Sequence, residues 1–114
     1  MSVLEKNVVD ALATKNDELV LILFDHLGWN NEIIHLSLLQ EKINAYISFF
    51  ENHQYINCIS NSESITGFCI RIEFKYCITE NCVKFLNAVN ETIKALNGRV
   101  IYNIDITTNR DTEN

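Results

Sequence analysis

An α+β fold is predicted here: a two-layer sandwich, β-β-α-β-α-β, with a mixed four-stranded sheet and two helices on one face. Three features of the sequence carry that prediction. Leu19 to Phe24 is apolar at both parities, Phe68 to Ile78 alternates apolar and polar residues strictly, and two segments repeat apolar residues every three or four positions. An apolar run this short reads as a strand, and a stripe of period 3.6 reads as the buried side of a helix.

Taken in order, Val8 to Ala13 predicts a short strand, and Lys15-Asn16-Asp17 a polar turn. Leu19 to His26 follows as the second strand of a hairpin. Its residues Leu19, Leu21 and Leu23 fall on one side and Val20, Ile22 and Phe24 on the other, so it reads as interior and covered on both faces. Gly28 ends the strand region, and Asn30 or Asn31 offers a side-chain oxygen to the free amides of a helix. Leu36, Leu39, Ile43, Tyr46, Ile47 and Phe50 form its stripe, with Gln40, Glu41, Lys42 and Asn44 turned away, to about Asn52.

His53 to Thr66 is polar and predicts a loop with a short extended piece near Tyr55 to Ile59. From Phe68 onward, Phe68, Ile70, Ile72, Phe74, Tyr76 and Ile78 face one way, while Cys69, Arg71, Glu73, Lys75 and Cys77 face the other. Thr79 caps a second helix whose stripe is Val83, Leu86, Val89 or Asn90, Ile93 and Leu96. Asn97-Gly98 supplies a left-handed stop. Arg99 to Ile106 is the last strand, reached by a crossover that makes it parallel to the third. Residues 1–106 read as one domain and 107–114 as a flexible polar tail.

The chain has 114 residues, 47% hydrophobic and 21% charged, which is ordinary globular composition. Its nine basic residues are scattered and its net charge is −6, so a phosphate-binding surface and a nucleic-acid partner are not expected. No secretory pattern and no apolar run of membrane length is seen. Cys58, Cys69, Cys77 and Cys82 include no Cys-x-x-Cys pair, which predicts free thiols, a cytoplasmic chain and no metal or other cofactor.

Several segments resemble an uncharacterised family of short bacterial proteins, a domain of unknown function. They are Val3 to Asp10, Asp25-His26-Leu27-Gly28-Trp29, His35-Leu36 and Leu39 to Tyr46, with Ile72 to Tyr76 and Phe85-Leu86 later. The likeness spans about residues 3–106 and implies a bacterial stand-alone domain, with no activity or site attached. Members of that family carry a proline near the Tyr55 loop, where this chain has none.

Asp25, His26, Trp29 and His35 gather where the second strand hands over to the first helix, the end at which open α/β sheets hold ligands. They are the candidate ligand or partner contacts. With Glu32 nearby, two imidazoles and two carboxylates suit zinc or another first-row metal, which makes a small metal- or ligand-binding enzyme using Asp25, His26 and His35 one reading. The bland reading makes Asp25 a turn acceptor, Trp29 a staple and His35 a surface residue. Cys82 sits in a helix first turn, where the dipole lowers a thiol's pKa, although Glu80 opposes that. No Gly-x-Ser-x-Gly turn or phosphate loop occurs, so catalytic residues are not assigned.

The leading expectation is therefore a non-enzymatic interaction module, self-associating as a homodimer or binding a protein partner. Two helices cover one face of the sheet, which leaves Val20, Ile22 and Phe24, with Ile101, as a possible association surface. Either another chain covers it, or the hairpin sits over it, or the loop of residues 53–66 tucks beneath.

Overall fold

The computed structural model describes residues 9–105. Val8, Ile106 and the polar tail, assigned above from sequence, lie outside them. The elements are β1 (Ala11–Lys15), β2 (Glu18–Asp25), α1 (Glu32–Glu51), β3 (Gly67–Phe74), α2 (Glu80–Ile93) and β4 (Gly98–Ile104). The sheet order is β1-β2-β3-β4, with β1 antiparallel to β2 and the other pairs parallel. This is the predicted mixed sheet, and β2 is interior as expected.

Asn16 makes the β1–β2 turn possible by adopting a left-handed φ of 57°, which asparagine tolerates better than most residues. Asn31 caps α1 by accepting from the Ile34 amide, and Thr79 caps α2 by accepting from the Cys82 amide. The left-handed stop after α2 falls on Asn97, with φ 60°, following a 3₁₀ turn at Lys94–Leu96. Gly98 serves a different purpose: a Cβ there would stand 2.2 Å from the Phe68 ring. Lacking one, the start of β4 leaves room for the tip of that ring.

The core lies on one side of the sheet. Leu19, Leu21 and Leu23 of β2 and Phe68, Ile70, Ile72 and Phe74 of β3 are buried there against Leu39, Ile43 and Tyr46 of α1 and Leu86 and Ile93 of α2. The buried arc of α1 is His35, Leu39, Lys42, Ile43 and Tyr46, so Lys42 points inward, contrary to the stripe read from apolar spacing. A counter-charge explains it. The Lys42 ammonium sits 3.0 Å from Asp10 Oδ1, with neither side chain accessible to solvent.

Residues 53–66 hold 3₁₀ turns at Gln54–Asn57 and Ser62–Ser64 rather than an extended piece. Tyr55 is buried, stacked 5.7 Å from Phe50, whose ring is 4.4 Å from Phe68. Those aromatics lie on the helical side, so this loop does not tuck beneath the sheet. β3 also ends at Phe74, earlier than its alternation suggested, and Tyr76 and Ile78 belong to the connection.

Candidate functional site

The parallel strands β2 and β3 end together, and the Asp25 carbonyl accepts from the Lys75 amide at 2.9 Å. Both helices begin at this end. Glu32 of α1 accepts from Asn81 of α2 at 3.1 Å, and hydrogen bonds from Thr79 and then Asn81 hold its carboxyl below the usual range. Ligand sites of open parallel sheets sit in such positions.

Asp25, His35 and Trp29 converge here. Asp25 Oδ2 is 2.6 Å from His35 Nε2, and Asp25 Oδ1 accepts from the Leu27 amide at 3.1 Å. His35 Nδ1 lies 3.0 Å from the Gly28 carbonyl oxygen, which can only accept, so Nδ1 carries a proton. The Trp29 indole stacks on the imidazole with centroids 3.7 Å apart. Asp25 and His35 are 1% and 2% exposed. Both nitrogens of His35 are thus committed, and the pair joins the strand end, the Gly28 turn and the first helical turn of α1. The arrangement is a clamp, with no imidazole nitrogen left to take a proton from a ligand.

His26 stands apart, exposed at the rim. It lines a shallow cleft of 420 Å³ with Asp25, Phe74, Lys75 and Asp105, and a second beside Trp29 and Tyr76. Among the described residues no three His, Cys, Asp or Glu side chains are grouped to hold a metal ion. The Trp29 indole N–H is buried with no protein acceptor among those residues. Cys82, beneath the clamp, has its pKa pushed up to about 12, by burial first and then by the charges of Asp25 and Glu32. Burial therefore outweighs the helix-dipole lowering considered from sequence.

The other feature is the sheet face away from the helices. Register puts Ala13, Val20, Cys69 and Arg99 in one row and Ala11, Ile22, Arg71 and Ile101 in the next. Phe24, Glu73 and Asn103 form a third. Phe24 is 41% and Ile101 39% exposed, while Val20 and Ile22 are half-buried. The expectation that β2 is sheltered on both faces thus meets a correction: no described element lies over this one. The arginines and glutamates on it lie against one another, while Lys15 stands exposed at its end. Arg99 makes a bidentate bridge to Glu18 at 2.8 Å over β3, Arg71 Nε is 3.1 Å from Glu73, and Asn103 donates to Glu73 at 2.9 Å.

A family profile described as a family of unknown function, DUF6572, matches residues 1–106. The chain belongs to DUF6572. Nothing matches it among curated proteins or among solved structures. Membership in DUF6572 assigns no activity, so the chemistry above stands on this chain's own geometry. No described helix is long and apolar enough to cross a membrane.

Of the residues singled out in the sequence, Asp25, Trp29 and His35 meet, His26 shares only their rim, and Val20, Ile22, Phe24 and Ile101 share one face. The roles of three polar residues escaped the sequence reading. Asp10 and Lys42 form the buried pair described above, and Asn90 binds the backbone of β4. Lys42 carried a signal, for it continues the steps His35, Leu39, Lys42, Tyr46 along one helical stripe.

Proposed function

We propose that this domain is a non-enzymatic interaction module of the bacterial cytoplasm that self-associates through the open face of its sheet. The supporting observation is the exposed apolar stripe of β2, where Phe24 at 41% exposure continues Val20 and Ile22 beside Ile101. Four thiols without a disulfide suit a reducing compartment. A second copy is the favoured occupant on charge grounds. Arg99 with Glu18 and Arg71 with Glu73 compensate each other and leave only Lys15 over, so the face offers little to a strongly charged partner and presents little repulsion to itself, despite a net charge of −6 for the chain.

Size sets the expected strength. Strands of five, eight, eight and seven residues, at about 3.3 Å per residue and about 4.8 Å apart, give a face near 440 Å² per copy. A pair buries about 900 Å², just under the roughly 1,000 Å² expected of a stable specific interface, as suits a weak contact. With roughly half of it apolar, the gross gain is about 11 kcal/mol, and an association cost of about 4–7 kcal/mol leaves about 4–7 kcal/mol. A weak dimer follows, with Kd from about 10 μM to 1 mM.

Sedimentation velocity across that range is the test. Wild type should show reversible dimerisation, and Phe24→Lys should weaken it at least tenfold. A wild-type chain that stays monomeric near 1 mM overturns the reading. The enzyme reading with Asp25, His26 and His35 ranks below it, because the His35 ring has both nitrogens occupied.

A further inference from the structure

The two margins of the sheet are treated differently by the rest of the fold. β4 has a neighbour on one side only, since the order ends there. Successive residues of a strand direct their backbone groups to alternate sides. The Asn97 carbonyl accepts from the Phe68 amide and the Asp105 amide donates to the Phe74 carbonyl, so odd-numbered residues turn towards β3. Gly98, Val100, Tyr102 and Ile104 therefore turn their N–H and C=O groups outward. At the middle of that row, the Val100 amide donates to Asn90 Oδ1 at 2.7 Å, and Asn90 Nδ2 donates to the Val100 carbonyl at 3.1 Å. One carboxamide from α2 thus makes both hydrogen bonds that a neighbouring strand would make to Val100.

The margin at β1 is only five residues long, and its register with β2 leaves the backbone groups of Leu12 and Thr14 outward. β4 is the longer edge. It also carries exposed Ile101 and Tyr102, a combination that invites pairing with another strand.

We propose that Asn90 is an edge guard: its carboxamide occupies the outward backbone of Val100 and keeps β4 of a second copy from pairing with β4 in a continuous sheet. Without it, four outward residues become available in one uninterrupted row, and two β4 strands can pair antiparallel about a two-fold axis. This edge contact is separate from the open face and does not depend on dimerisation there.

The test uses the full chain in a Phe24→Lys background, in which the face contact is weakened at least tenfold, and reads the association that Asn90→Leu adds to it. Asn90→Leu is compared with the unchanged Asn90 by sedimentation velocity and by amide hydrogen exchange, with circular dichroism to verify folding. In the Asn90 chain, the Val100 amide should exchange at least about tenfold more slowly than the equally outward Tyr102 amide. In dilute Asn90→Leu that difference should vanish. As concentration rises, Asn90→Leu should associate and the Val100, Tyr102 and Ile104 amides should gain protection together. A folded Asn90→Leu that remains monomeric overturns the proposal, as does association that leaves those amides unprotected. Should Asn90→Leu fail to fold, Asn90→Asp decides the matter: it keeps an acceptor for the Val100 amide but no donor for its carbonyl, and is expected to associate more than Asn90. An Asn90→Asp chain as monomeric as its parent counts against the guard.

Discussion

Replacing Lys42 by methionine tests whether the buried pair beneath β1 holds the sheet to its helical layer. The ammonium lies 3.0 Å from Asp10 Oδ1, with both side chains inaccessible. Asp10 Oδ2 accepts from the Phe24 amide at 2.9 Å, and the Asp10 amide donates to the Tyr46 hydroxyl at 2.8 Å. Tyr46 in turn donates to the Ile22 carbonyl at 3.0 Å. Lys42→Met keeps the stem and removes the charge, leaving the Asp10 carboxylate buried with its ionic partner gone. Breaking one half of such a pair costs about 3–5 kcal/mol. For a domain near 100 residues that lowers Tm by roughly 15–25 °C.

Asp10→Asn strands the ammonium and should cost a comparable amount, slightly offset because its amide oxygen still accepts from Phe24. The double variant leaves neither charge stranded, so its loss should fall short of the sum of the singles by about 2 kcal/mol or more. Urea titrations at constant m, with calorimetric Tm as a check, measure all four corners of the cycle. Additivity within about 0.5 kcal/mol refutes the pairing, because independent sites add. So does a Lys42→Met chain that loses less than about 1 kcal/mol.

Two further outcomes follow from burial and charge. Ellman's reagent at pH 8 should modify exposed Cys58 and Cys77 quickly, while Cys69 and Cys82, both raised in pKa by burial, react only in denaturant; a third fast thiol contradicts that burial. Glu18 is lowered from 4.5, chiefly by its hydrogen bond to Arg99, so its contribution to stability is complete above pH 4.5 and disappears as pH falls through the folded value. The stability gap between wild type and Arg99→Ala should therefore be larger at pH 7 than at pH 3, and an equal gap at both dismisses the bridge.

How far these features could be read in advance depends on whether the signal was periodic. Apolar residues at both parities of β2 revealed an interior strand, because a strand wet on one face alternates. The same signal is silent about what provides the second cover, since apolarity reports avoidance of water and not the identity of the neighbour. Lys42 was misread because hydropathy assigns any charge to solvent, whereas here a carboxylate 32 residues away receives it. Tyr55 was lost in a polar stretch whose Asn and Ser residues dominate local preference, although its ring packs on Phe50. The Asp25–His35 contact was placed at the correct junction but with its chemistry open, because only coordinates reveal that the Gly28 carbonyl claims the second ring nitrogen.

Asp10 and Asn90 make a common physical point. Backbone groups of β2 alternate like those of β4, and the Asp25 carbonyl facing β3 turns the Phe24 amide towards β1. β1, whose regular pairing begins at Ala11 opposite Ile22, offers no strand residue opposite Phe24, and the Asp10 carboxylate takes that amide instead. Asn90 does the same for Val100. In both places a polar side chain replaces a missing strand, which removes an unsatisfied group that a foreign strand would otherwise recruit. The open face receives no comparable treatment: Phe24 stays 41% exposed while its own amide is carefully bonded. Among the described residues the longer edge is interrupted and nothing lies over the face bearing Phe24, which is why the proposed self-association is by stacking rather than by edge pairing. Both contacts close as two-fold dimers, but a bare β4 edge can also accept any other unpaired strand, which makes it the less specific of the two.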